Sequence, residues 1–326
     1  MRDVPCITVD RFDPEAMGPG KHLRQLVLPG SEEVTLPVLL INGCRPGRTL
    51  VVLAGVHGDE FEGIRALHEV YARLMCERLW GRLLAVPIAN PPAVQAGCRT
   101  SPWDGQNLAR AFPGKQRGTV TERIAWALGE AIIARADLLL DLHSGGIAYE
   151  FPPLVGYDGS PTEQGRASRD AALAFGAPVL WAHPTIASGR SISEAARRQI
   201  PWLYAEAPGG GRINPRALRL YVRGVLNLLV HLQILPGTLR SRPPRWHLIG
   251  EGDVDRAIPS PASGFFVPRV RVLDRVRSGQ TLGLVRDPFG RAIATVQAPQ
   301  EGRVVMLRAL PVVAADEPLA LLARDV

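Results

Sequence analysis

The stretch "VVLAGVHGDEFEG", Val51 to Gly63, ends an apolar run in glycine and then sets a histidine and a carboxylate three positions apart, His57 and Glu60. Imidazole and carboxylate are the donors that a catalytic zinc accepts, usually three from protein with one position left open for water. By itself the pair has two readings, half of a metal site or a polar turn capping a strand. A third donor is needed. His143 in "DLHSGG" supplies one at the end of another apolar run, and Asp141, two residues earlier, shares its strand face and can accept the second N–H of a bound imidazole. Glu206 in "YAEAPGGG" is the best-placed general base for a metal-activated water, since the glycines behind it leave room for substrate. Arg99 and Arg110 flank "TSPWDGQNLARAFPG" as candidates for stabilising an oxyanion or for gripping a carboxylate with a planar fork.

These residues sit at the ends of elements that must bring them together. "TLVVLAGV" (49–56), "RLLAVPIANP" (82–91), "ADLLLDLHSGG" (136–146), "APVLWAH" and "PWLYAEAPGGG" read as buried strands, and the helical periods over 60–79, 120–134 and 213–235 alternate with them. Thr119 with Glu122 has capping-box spacing. The alternation predicts an α/β fold with a mixed, mostly parallel sheet flanked by helices, in which sites form beyond the carboxyl ends of strands. His57, Asn90, His143 and Glu206 each follow an apolar strand, so all four are expected at one sheet edge. From about Pro236 the texture changes to short alternating runs between Gly and Pro turns. The expected division is therefore an α/β domain over 1–238, with roughly the first 40 residues an added β segment, and a smaller all-β domain over 239–326.

Composition narrows the class further. A chain of 326 residues that is 46% hydrophobic and 21% charged can bury a sizeable core. Its +7 net charge is spread out and carried almost wholly by arginine, Lys21 and Lys115 being the only lysines. With no basic run or aromatic stacking motif, nucleic-acid binding is not expected. No stretch has the length of a membrane span, and the acidic N-terminus does not look like a signal peptide, so the expected location is cytoplasmic. Cys6, Cys44, Cys76 and Cys98 have no pairing pattern and read as buried thiols. His68 falls on a helical face with Ile64, Tyr71 and Met75 and reads as a core histidine; His183, His231 and His247 lack ligand spacing. Asp59 reads as a residue that orients its loop.

The ordered motifs "GVHGDEFEG", "NPPA", "NLARAFPG", "DLHSGG" and "YAEAPGG" resemble the succinylglutamate desuccinylase/aspartoacylase family over roughly 50–235, and the β tail is similar to that family's C-terminal domain. The resemblance implies a zinc carboxypeptidase-like fold and one Zn2+ per chain, held by His57, Glu60 and His143. Glu206 then matches the general base, Arg99 the carbonyl-polarising arginine, and Arg110 the substrate-carboxylate arginine. The family's second Asn in N-L-N-R is Ala109 here, and Asn107 is the candidate to compensate. The implied activity is amide hydrolysis of a small N-acylated amino acid, with the N-acetyl-diaminobutyrate deacetylase branch closer than the desuccinylases. A carboxypeptidase of the same fold and a catalytically silent metabolite-binding homologue remain the alternatives, and the β tail is a candidate either to gate the site or to mediate homo-oligomer formation.

Overall fold

Strand Arg45–Ala54 is wholly buried from Leu50 onward, and it lies between Trp80–Val86 and Leu138–Ser144, pairing parallel with both. Covered on both faces, it has no need of the alternation that a half-solvated strand shows. The computed structural model describes residues 4–326. Leu138–Ser144 continues parallel to Trp202–Ala207, so three strand ends that carry candidate side chains lie side by side. The sheet then runs through Leu154–Asp158, antiparallel to Trp202–Ala207, and on to Val179–His183. On its other flank, strands Cys6–Thr8, Gly20–Leu28 and Ser31–Asn42 form an edge that joins Trp80–Val86.

The large sheet does not stop where the sequence texture changes. Trp246–Ile249 pairs parallel with Val179–His183, and Pro318–Asp325 and Gly302–Arg308 extend the sheet antiparallel from there. A second, four-stranded antiparallel sheet is built from Gly264–Pro268, Thr281–Arg286, Ala292–Gln297 and Val312–Val313, over its own core around Phe266, Leu282 and Val285.

Helices cover both faces of the central strands. Helix Glu62–Arg73 and the long helix Pro215–His231 pack on one face with Leu50, Val52, Leu140 and Leu142; helix Val120–Ala127, prolonged by a π turn over Leu128–Ile132, packs on the other with Val51, Leu53 and Leu139. Successive strand residues point to opposite faces, so one continuous apolar run feeds two cores. The predicted capping box closes as expected, with Glu122 N donating to Thr119 Oγ1 at 3.3 Å and Thr119 N to Glu122 Oε2 at 2.9 Å. At Gly63 a Cβ would stand 2.8 Å from Leu142 Cβ, so glycine lets the helix after the His57 loop sit directly on the sheet.

Several expectations are corrected. The first helix ends at Arg73, where Leu74 turns extended, instead of running to residue 79. Its buried face is Ala66, Leu67 and Val70; His68 is exposed and Met75 lies past the helix end, so His68 is no core histidine. The second buried strand ends at Val86, ahead of the first proline. The long helix spans Pro215–His231, started by Asn214, whose Oδ1 accepts from Arg216 N and Ala217 N. All four cysteines are free, but Cys6 and Cys44 are exposed and the other two half-buried.

Candidate metal centre and its pocket

The loop after Arg45–Ala54 turns sharply at Gly55, where φ is +63°, and passes so close to helix Pro91–Ala96 that a Cβ on Gly58 would lie 1.9 Å from Ala93 O. Glycine is the residue that tolerates both demands. Asn90, expected at the site, instead holds this loop from below, its Nδ2 donating to Val56 O at 3.3 Å and its backbone N to Gly55 O at 2.9 Å. Asp59 also braces the loop, as its Oδ2 accepts from Ile147 N at 2.9 Å in the turn after His143.

So held, Glu60 becomes the centre of a buried cluster. Its Oε1 lies 2.8 Å from His57 Nδ1, its Oε2 lies 2.9 Å from His143 Nδ1 and accepts from Ser144 N at 3.1 Å, and Arg99 reaches Oε1 at 3.3 Å. One ligand atom from each of His57, Glu60 and His143 falls within 4.8 Å of the other two. The far nitrogens are also engaged: His57 Nε2 lies 3.2 Å from Asn107 Oδ1, and His143 Nε2 lies 3.1 Å from Asp141 Oδ2. Both outer partners are acceptors, as is Glu60 at each Nδ1; with a cation held between the Nδ1 atoms and Glu60, the rings would carry their protons on Nε2, towards Asn107 and Asp141. The two Nδ1 atoms and the carboxylate converge on one point, where a cation could be held among them. The donor set fits a zinc ion of the catalytic kind, and the outer contacts are those that orient such ligands.

Electrostatics follow the same geometry. Burial pushes the Glu60 carboxyl up, but the imidazoles of His57 and His143 outweigh it and hold the group well below the usual carboxylate range. For His143, burial opposes the charged ring, while Asp141 and Glu60 on its two sides raise its pKa well above the ordinary value. His57 goes the other way, lowered by burial and by the Arg99 guanidinium. Glu206 lies opposite His143 in strand register; burial pushes its carboxyl up to about 8, with Glu60 and Asp141 adding to the effect and His143 and Arg99 opposing it. Among the described residues, its buried Oε2 has no hydrogen-bond partner.

The pocket over this cluster is lined by His57, Arg99, Ala109, Arg110, Asp141, His143 and Glu206, all expected from sequence to be in or beside it. Asn107 stands behind His57, its Oδ1 shared with Ala109 N at 2.9 Å. Ala109 contributes only its methyl group where the family motif carries a second amide.

Other lining residues carried no sequence signal: Arg190, Ser191, Ile192, Tyr204, Gly252 and Val254. Ser191 donates to Asp141 Oδ2. Tyr204 sits two residues before Glu206 on the same strand face, and its hydroxyl lies 2.8 Å from His183 Nε2. Arg110 donates from Nε and Nη2 to Asp255 at 2.7 and 2.8 Å, while Arg190 pairs with Asp253 at 2.5 Å. The strap over 250–257 thus closes over the pocket from a different part of the chain. Pairing across 145 residues leaves no local pattern; only the "DVD" triplet, with its two carboxylates on alternate positions, hints at it.

A mostly parallel α/β sheet with a His/Glu/His cluster over its strand ends defines a zinc-carboxypeptidase-like fold. More narrowly, the chain belongs to the succinylglutamate desuccinylase/aspartoacylase family, whose catalytic-domain model matches residues 46–232. It is 35% identical over 266 residues to the N-alpha-acetyl-L-2,4-diaminobutyric acid deacetylase of Halomonas elongata, covering 81% of this chain and 78% of that protein. Among solved structures, it resembles the product-bound ectoine utilization protein EutE (DoeB) from Ruegeria pomeroyi with a TM-score of 0.87 and 30% identity, over 94% of this chain and 96% of the other. The succinylglutamate desuccinylase/aspartoacylase from Rhodobacter sphaeroides aligns with a TM-score of 0.85 at 28% identity, over 94% and 97% of the two chains. Among the described residues no helix is long and apolar enough to cross a membrane.

Proposed function

We propose that this protein is a zinc-dependent hydrolase that removes the acyl group from a small N-acyl amino acid, and that Nα-acetyl-2,4-diaminobutyrate is its substrate. The observation that carries the chemistry is Glu206: a half-buried carboxylate, its inner oxygen without a hydrogen-bond partner among the described residues, set opposite His143 of the His57, Glu60 and His143 cluster across one strand pair. The substrate assignment rests on the Halomonas relative. His57, Glu60 and His143 would hold zinc, which when bound supplies a Lewis acid that polarises the scissile carbonyl and acidifies a water.

The protein's own groups do the rest. Glu206 takes the proton of the attacking water and returns it to the departing amine; a carboxyl poised near 8 before any metal is bound, and lowered by a cation beside it, suits both directions near neutral pH. Arg99, beside Glu60, stabilises the oxyanion that develops on the carbonyl. Asp141 and Asn107 orient the two imidazoles through their Nε2 atoms. Arg110 and Arg190 offer guanidinium N–H groups to the substrate carboxylate, with Asp255 and Asp253 keeping those forks in place.

The Glu206→Gln variant tests the reading. It should retain zinc by elemental analysis while losing at least about a thousandfold in kcat on Nα-acetyl-2,4-diaminobutyrate. Full activity in that variant overturns the mechanism. Faster turnover of N-acetylaspartate or N-succinylglutamate by the unaltered protein overturns the substrate assignment.

A further inference from the structure

Away from the pocket, helix Pro215–His231, the end of helix Glu62–Arg73 and the segment over 235–240 enclose a second cleft, of about 610 Å³. Arg78, Arg219, Arg223 and Arg240 line it and, among the described residues, none of the four makes an ion pair. The lining carboxylate, Glu69, is already shared by Arg73 at 2.7 Å and Arg65 at 3.4 Å. Arg219 and Arg223 lie one turn apart on the same helix, a like-charge spacing that destabilises a helix unless something compensates it.

A second, independent feature points into the same cleft. Asn227 is 3% exposed, and its Oδ1 accepts from Arg240 N at 3.0 Å, tying the 235–240 segment to the helix. Asn227 lines the cleft, and among the described residues its buried Nδ2 has no hydrogen-bond partner. A buried amide donor left unpaired is costly, and the surroundings hold an excess of donors and of positive charge. What satisfies both is an anion with several acceptor oxygens.

We propose that this cleft binds a small molecule bearing an oligophosphate group, at a site distinct from the hydrolytic pocket. Guanidinium forks match phosphate oxygens in pairs, four unpaired arginines balance a triply or more highly charged anion, and the neutral amide supplies a further donor. Val222, Leu226 and Val230 give the cleft an apolar floor for the uncharged remainder of such a ligand.

The test is calorimetric titration of the full chain with sodium tripolyphosphate at fixed ionic strength. Saturable one-to-one binding is expected, weakened at least about tenfold in Arg219→Gln/Arg223→Gln and in Arg240→Gln. The charge-matched control Arg269→Gln/Arg271→Gln should bind as tightly as the unaltered chain, and deacylation should be unchanged in all of these variants. Absence of saturable binding, equal binding by the cleft variants, or equal weakening in the control overturns the proposal. Citrate binding as tightly as tripolyphosphate overturns the assignment to phosphate, and a tighter complex with single- or double-stranded DNA overturns the assignment to a small molecule.

Discussion

The pocket and the second cleft are both rich in arginine, and they treat it in opposite ways. In the pocket each guanidinium is tied to a carboxylate: Arg99 to Glu60, Arg110 to Asp255, Arg190 to Asp253. In the cleft, Arg78, Arg219, Arg223 and Arg240 stand free of ion pairs among the described residues. A site that must hold reacting atoms in place needs its charges fixed in advance, because reorganising them during reaction adds to the barrier. A site that only captures an anion can leave its charges to the ligand. The contrast teaches that arginine content alone says little about function here; the partner of each guanidinium says more.

The comparison can be strained at three points. The largest effect is expected from Asp141→Asn, which weakens the acceptor of His143 Nε2 and of the Ser191 hydroxyl. Zinc affinity or kcat should fall about 10–100-fold, read by metal titration and initial rates; an unchanged protein would mean that the contact of Nδ1 with Glu60 orients the ring without Asp141.

A second effect concerns the root of the strap. His183 is buried, its Nδ1 lies 2.8 Å from Gly250 O, and burial lowers its pKa to about 4. The unfolded chain takes up this proton near pH 6.5 and the folded chain only near 4, so stability is complete above 6.5 and is lost as pH falls towards 4. The loss should reach roughly 3 kcal/mol. Urea unfolding of the unaltered protein and of His183→Gln between pH 7 and 4 checks it: the variant should show a shallower decline, and parallel curves would contradict the assignment.

The smallest effect belongs to Asp255→Ala. The Arg110–Asp255 pair has two good hydrogen bonds, but the Asp255 side chain is 61% exposed, so solvent screens it. KM for the acylamino acid should rise by about two- to fivefold with kcat unchanged. A fall in KM would show that Asp255 competes with the substrate for Arg110 instead of presenting it.

Much of the candidate site was legible in the residues, for a physical reason. Metal ligation needs particular donors at short loop spacing, and a strand end, a glycine turn and a histidine leave a compact written pattern, as "GVHGDEFEG" and "DLHSGG" do. The strand positions were legible too, because Val51–Leu53 and Leu138–Leu140 are buried on both sides and read as unbroken apolar runs. Helix faces were less so. His68 has the right spacing for the buried stripe, yet the helix turns Ala66, Leu67 and Val70 inward and leaves it exposed. Period alone does not select which of two adjacent faces meets the sheet.

The sequence by itself thus determined the strand–loop–helix unit around His57 and Glu60, the strand-end positions of His143 and Glu206 and the two-sided burial of the strands that carry them. Each of these depends on neighbours within a few residues. Only the tertiary structure decided that Asn90 braces the ligand loop, that Asn107 backs His57, that Arg190 joins the pocket, and that Asp253 and Asp255 reach across to its arginines. It also decided that the last strands of the chain extend the sheet begun by the first. Those pairings join segments far apart in the chain, where chain closure and packing choose the partner and no local period records it.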